Sequence, residues 1–289
     1  MLFPDLMALA KKLSINIEVA DVTRNPIISK NIAFTKGGFS MKSEKAYIVR
    51  FIYALLGNVI LAAGAAMLVH AALGSDLFTG QIRPVANLIG LSMGTYQMIF
   101  SIIFAVIIFM LRRELIGIGS IINVFLTGYF ISFFINHFGP LGQIFSFGHI
   151  ASIDLSIVTY SISIGQIILI FLALVVYSLG ISLYSNAGLG AGPYDGIGPL
   201  IQSYTNWKFF KCRMIADAGF LILCLIFGVV TFNKLGPVDA INMPTFLVGP
   251  STFIAALCLG PFIGFWTTKV TIPTLEKFGY TVPAFGGEE

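Results

Sequence analysis

Six long apolar stretches dominate the chain, at about 47–70, 95–111, 115–136, 157–185, 212–232 and 240–266. Each is mostly Leu, Ile, Phe, Val, Ala and Gly, and charge, Gly or Pro breaks it from the next. A hydrocarbon core of ~30 Å needs about 20 apolar residues in a helix that crosses it. The pattern therefore predicts six transmembrane helices. Two shorter segments, 77–90 and 193–205, cannot span but carry apolar residues at helical spacing. These are Leu77, Phe78, Ile82, Val85, Leu88 and Ile89 in the first, and Tyr194, Ile197, Leu200, Ile201 and Tyr204 in the second. Both hold a proline mid-way, Pro84 and Pro199. Ser75 or Asp76 can cap the first, and Gly192-Pro193 suits the start of the second.

The order of these elements repeats. Gly64, Leu73, Gly74 and Gly80 match Gly180, Leu189, Gly190 and Gly196, each 116 positions on. Gly117 and Asn123 match Gly236 and Asn242, 119 positions on. Each half reads as a long helix, a Gly-rich elbow, a short amphipathic segment and two more spans. Three spans is an odd number, so the second copy must enter the bilayer upside down, as in many transporters. The expected fold is all-α and polytopic, with repeat 1 at 47–136, an outer linker at 137–156, repeat 2 at 157–266 and a tail at 267–289.

Composition agrees with a lipid-solvated chain: 57% of residues are hydrophobic and 10% charged, against about 25% charged in soluble domains. Of 17 Lys and Arg, eight lie in the first 50 residues. With the N-terminus inside, fifteen fall on inner segments and only Arg83 and Lys234 outside, which orients both termini to the cytoplasm. Residues 1–46 read as a cytoplasmic extension without a signal-peptide core; Met41-Lys42-Ser43-Glu44-Lys45 also resembles a start, so 1–40 could reflect a start codon assigned too early. No basic face for nucleic acid is evident.

Catalytic motifs are lacking: no His-Glu-x-x-His, no Gly-x-Ser-x-Gly, no Walker loop. An intramembrane aspartyl protease would need two facing aspartates, and Gly74-Ser75-Asp76 is a poor partner for Tyr194-Asp195. No metal or cofactor is expected. Cys212, Cys224 and Cys258 have no ligand spacing and read as small core residues. The candidate substrate-binding residues are those of the elbows, Gly74 and Asp76 in one and Gly188, Gly190, Gly192, Tyr194, Asp195 and Gly196 in the other. Glycines there can let a ligand approach the backbone or let helices pack closely. Asp195 can bind, or complement a helix dipole; Asp76 reads rather as a cap. Asp217 follows Arg213 by four residues, so the two form a snorkelling pair, or Asp217 turns inward towards Asp195 or a cation. Asn123 and Asn242 could line a pathway as repeat-related amides, among the span polar residues Asn58, Gln97 and Gln166.

The second elbow, Asn186-Ala187-Gly188-Leu189-Gly190-Ala191-Gly192-Pro193-Tyr194-Asp195-Gly196, resembles the Leu-Gly-x-Gly-Pro-aromatic-Asp pattern of YitT/YczE-type bacterial membrane proteins. The Gly94-Thr95 turn and the Gly117-Ile118-Gly119-Ser120 helix start look similar too, and the first elbow departs from the pattern at Asp76 and Thr79. The resemblance covers about 45–266 and implies a bacterial cytoplasmic membrane, but no defined activity. The expected function is transport of a small molecule or ion of unspecified identity, without catalysis. The alternative is a non-transporting scaffold or accessory subunit that binds a partner protein. Expected partners are the lipid bilayer and the solute, and a homo-oligomer is allowed.

Overall fold

The computed structural model describes residues 41–154, 159–205, 207, 209–242, 249–278 and 280. Of the N-terminal extension expected at 1–46, residues 1–40 lie outside them, as does the end of the tail, and residues 41–46 are helical. Helix α1 (Met41–His70) leads through an elbow to α2 (Leu77–Ile89), α3 (Met93–Leu111) and α4 (Ile118–His137). A short turn α5 (Leu141–Ile144) and a hairpin of β1 (His149–Asp154) and β2 (Thr159–Ser163) follow. Then come α6 (Ile164–Asn186), the second elbow, α7 (Ile197–Thr205), α8 (Phe209–Asn242), α9 (Pro250–Trp266), a π turn (Thr267–Thr271) and α10 (Ile272–Lys277). Among the described residues six helices are long and apolar enough to cross a membrane: Tyr47–His70, Met93–Leu111, Ile118–His137, Ile164–Asn186, Lys211–Val230 and Pro250–Lys277.

Two expected boundaries move. The fourth span does not begin at 157, because Thr159–Ser163 pairs with His149–Asp154 as an antiparallel strand. Ser163 then caps α6, its hydroxyl accepting from Gln166 N–H while the Gln166 side chain accepts from Ser163 N–H, a reciprocal capping box. The sixth span does not begin at 240: α8 runs on to Asn242, and Pro250 after Gly249 opens α9. A proline in the first turn of a helix lacks only an N–H that would be orphaned anyway.

Polarity is inverted relative to a soluble protein. Outward faces carry Ile99, Ile103, Val106 and Met110 on α3, Ile167 and Phe171 on α6, and Ile222, Leu225 and Val229 on α8, all exposed. Asn58, Gln81, Gln97, Ser178 and Ser182 are buried. That distribution, apolar outside and polar inside, suits a solvent of acyl chains.

Helices α1 and α6 form the central pair, and their contacts are reciprocal. A Cβ on Gly64 would meet Tyr177 backbone at 2.5 Å, and one on Gly180 would strike Leu61. Tyr177 and Leu61 stand 116 apart, as do Gly180 and Gly64. Arg50 donates to the carbonyl of Ala187 at 2.7 Å, and Gln166 to that of Ala71 at 3.1 Å, again a related set. Small residues let the two backbones close up where apolar lipid gives no hydrophobic drive to associate.

The elbows repeat in backbone and in docking. Positive φ occurs at Ala72 (55°) and Gly74 (108°) in the first, and at Gly188 (64°) and Gly190 (106°) in the second. In the first, Leu73 O accepts from Ser251 N–H at 3.0 Å at the start of α9. In the second, Leu189 O accepts from Gly119 N–H at 2.7 Å at the start of α4. Gly249 N–H donates to Thr252 Oγ1 and Gly117 N–H to Ser120 Oγ, the same self-cap at both receiving helices. The counterpart of Gly117 is therefore Gly249. The matches of Gly117 with Gly236 and of Asn123 with Asn242 are corrected, since Gly236 and Asn242 lie within and at the end of α8, away from any helix start. Glycine is frequent enough here that a chance match outweighed the true one.

Asp76 caps α2, with Oδ2 accepting from Thr79 N–H at 3.0 Å, and α2 is an amphipathic helix as expected, buried along most of its length. The second segment is helical only from Ile197, so Pro193–Gly196 belongs to the elbow. Replacing Asp76 by Ala is expected to lower stability by about 1 kcal/mol, the usual loss of an N-cap. Asp76→Ser should retain most of it, and thermal unfolding of both variants in detergent checks this.

Candidate functional site

The second elbow turns two polar side chains, Tyr194 and Asp195, into the bundle, against α8 and α6. Asp217 and Arg213 share a face of α8, one turn apart, and pair through Arg213 Nε at 3.1 Å. Arg213 does not simply snorkel, because its Nη1 donates to Asp195 Oδ1 at 2.8 Å. The guanidinium also lies over the Tyr194 ring, 4.4 Å from its centroid. Tyr194 OH donates to Asp217 Oδ1 at 2.5 Å, and Tyr184 OH on α6 donates to Asp195 Oδ2. One cation is thus held by two carboxylates and a ring face, and two phenols satisfy remaining carboxylate oxygens. Of the two readings of Asp217, intrahelical pair and inward partner of Asp195, both hold at once through Arg213.

The cluster is not sealed. Arg213 keeps 22% of its side-chain surface exposed and Asp195 17%. Asp217 lies about 9 Å along the helix from the start of its apolar span, at 1.5 Å per residue. Charges at such depth are costly against acyl chains and stable where water or partners reach them. Burial pushes the Asp195 carboxyl up from its usual range, and the Arg213 guanidinium acts in the opposite sense.

A neutral arm extends from the charges towards α1 and α4. Asn123 Oδ1 faces Gly192, where an added Cβ would meet it at 2.8 Å and Tyr184 OH at 3.0 Å. Asn123 Nδ2 donates to Asn58 Oδ1 at 2.7 Å, and Thr127 Oγ1 donates to the same oxygen at 2.8 Å. Asn58 Nδ2 returns to Ala54 O, so every polar atom of that buried amide has a partner. On the other side an aromatic box adjoins the charges. Tyr194 packs edge-on to Phe220 at 4.7 Å and against Phe78 at 5.5 Å, and Phe100 and Phe104 continue the stack from α3.

Of the residues expected to bind, Tyr194, Asp195 and Asp217 come together, with Asn123 and Gly192 at the next layer. Gly188 and Gly190 do not face the cluster. Gly190 abuts Gly117 and Ser120, and Gly188 lies under Arg50 and Tyr280, so their lack of a side chain serves packing between protein segments. Gly196 packs on Ile108, and Gly74 on Gly249 and Thr252. Asn242 ends α8, away from this elbow in sequence. Phe78, two residues after Asp76, packs against Tyr194 at 5.5 Å, which brings the start of α2 beside the same region. Sequence reasoning missed Tyr184, Arg213 as the hub, and Gln81. The last is fully buried with both amide atoms lacking a hydrogen-bond partner. A lone polar residue within an otherwise apolar helical face was the available signal for it.

Residues 48–268, which contain both elbows and the whole cluster, match DUF6198, described as a family of unknown function. The chain belongs to that family. Relatives of this DUF6198 protein include the uncharacterized membrane protein YczE of Bacillus subtilis (strain 168), 29% identical over 169 residues, which cover 58% of this chain and 69% of the relative. The uncharacterized protein YyaS of the same organism is 21% identical over 179 residues, covering 62% and 81%. The similarity to YczE-type membrane proteins read from the second elbow is thereby established. No solved structure gives a significant match.

Proposed function

We propose that this membrane protein transports a small molecule or ion, and that it is built as two inverted three-helix repeats. The observation that carries the transport reading is the part-exposed Asp195–Arg213–Asp217 cluster joining the second elbow to α8. Broken connections and charged groups at the meeting of two halves are where substrate sites of inverted-repeat carriers lie. The repeat reading is supported by the elbows, each docking on the start of the third span of the other half with the same φ signature and the same self-cap. The basic inner segments support cytoplasmic termini in a bacterial cytoplasmic membrane.

The experiment is solute flux into proteoliposomes over a panel of cations, anions and neutral solutes. Asp195→Asn keeps the shape and removes the charge opposite Arg213, and is expected to lower flux at least tenfold. Unchanged flux in that variant would remove the cluster from the pathway. One observation favours the rival reading of a scaffold: both elbows are tied by backbone hydrogen bonds to α4 and α9. A stoichiometric partner on purification in mild detergent, with no flux for any solute, would select it.

A further inference from the structure

Arg213 is bound in the way a ligand would be. Its three contacts come from two separate elements: Asp195 and the Tyr194 face from the elbow, and Asp217 from α8. The carboxylates exceed the cation by one, and Asp76 adds a further negative charge that acts on the same groups. Planar guanidinium suits such a niche because it offers forked donors to carboxylates and a flat face to an aromatic ring. Arg213 lies near the start of its span, so its long stem allows the head to swing to the interface and vacate the place.

A second observation, independent of the charges, points to a ligand. Gln81 has no exposed surface, and neither its Oε1 nor its Nε2 has a hydrogen-bond partner. Leaving a buried polar group unmade costs about 1–3 kcal/mol, so such a group needs a reason. Gln81 stands one turn after Leu77 and Phe78, and helical side chains lean back over the preceding turn. That turn meets the cluster region: Phe78 touches Tyr194 and Phe220, and Cys224 on α8 donates to Leu77 O at 3.0 Å. By that spacing Gln81 shares a face of α2 with Leu77 and Phe78, the face that meets the aromatic box beside the carboxylates.

We propose that Asp195, Asp217, the Tyr194 ring and Gln81 form a binding site for a small planar organic cation of the guanidinium or amidinium class, in which Arg213 is the resident occupant that the cation replaces. The proposal rests on the transport reading and names its substrate class. The carboxylates take the N–H groups, Tyr194 takes the face, and Phe78, Phe100, Phe104 and Phe220 enclose an apolar remainder. Gln81 Oε1 accepts from a second N–H of the ligand. Replacement of one guanidinium by another keeps both carboxylates paired with a cation. An anion would instead have to break both Arg213 pairs and face the carboxylates it exposed.

The test is thermal unfolding of the full-length protein in detergent with benzamidinium or methylguanidinium chloride at millimolar concentration, against sodium chloride at equal ionic strength. A saturable rise of several degrees is expected with the cations, since binding to the folded state alone stabilises it. Asp217→Asn and Gln81→Leu should weaken that response at least tenfold in half-saturating concentration, and Glu114→Gln should leave it intact. No saturable rise in the unaltered protein, or an equal rise in Asp217→Asn, overturns the proposal. Benzamidinium flux in proteoliposomes is measured alongside. Saturable binding without flux sustains the site and refutes transport; flux of another solute with no benzamidinium binding sustains transport and refutes the site.

Discussion

Gly190→Ala is expected to leave little folded protein. The residue sits at φ 106°, where a side chain is strained by about 1–3 kcal/mol. An added Cβ would also strike the Gly117 backbone and lie 2.5 Å from Ser120 Oγ. Neither neighbour can retreat, because Ser120 Oγ accepts from Gly117 N–H and Gly119 N–H holds Leu189 O. Relief requires the elbow to lift from α4, which also breaks the Ala191 N–H to Leu115 O bond. Strain and lost contacts together give about 4 kcal/mol or more, in the range reserved for the most damaging substitutions. Gly219→Ala is the control. It lies within α8 with nothing within 4 Å of an added Cβ, so helix propensity alone predicts a neutral or stabilising change of up to about 1 kcal/mol. Monodispersity on size exclusion and the melting temperature distinguish the two variants, and equal behaviour would mean that the elbow is not docked as described.

The second large effect is expected at Arg213. Arg213→Met leaves Asp195 and Asp217 facing each other without a cation and removes the charge over Tyr194. Breaking one side of a fully buried pair costs about 3–5 kcal/mol; the partial exposure of this one reduces that to about 2 kcal/mol. Arg213→Lys restores the charge but not the fork, so it should recover part of the stability. Arg213→Met combined with Asp195→Asn should be more stable than Arg213→Met alone, because one of the two unpaired charges and their mutual repulsion are gone. Such a cycle, read from unfolding midpoints, isolates the pair. Additive effects would show that the cluster is not coupled.

How far the sequence carried depended on what each feature needs. Six spans were legible because twenty apolar residues in a row have few other uses. The elbow repeat was legible because Leu73-Gly74 and Leu189-Gly190 sit in equal surroundings and need the same backbone conformation. The later part of each half was misaligned. Gly249 and Thr252 do the work of Gly117 and Ser120, but an α8 longer than expected displaced them from the register set by the elbows. The charged cluster was half legible. Helical spacing joined Arg213 to Asp217, whereas the meeting with Asp195 and Tyr184 depends on how α6 and α8 flank the elbow, which no local pattern encodes. Glycines offered as ligand contacts proved to be packing sites, since a positive φ and a close backbone look alike in sequence whichever neighbour approaches.

The fastenings at the two ends of the α1–α6 pair are unequal. At one end a guanidinium grips two carbonyls, those of Ala187 and Gly188, beneath the ring of Tyr280. At the other a neutral amide, Gln166, holds the single carbonyl of Ala71. Hydrogen bonds from charged donors contribute about 1.5–3 kcal/mol and neutral ones about 0.5–1.5 kcal/mol. The central pair thus carries a bias: loosening begins at the amide end, and the clasped end stays shut until last.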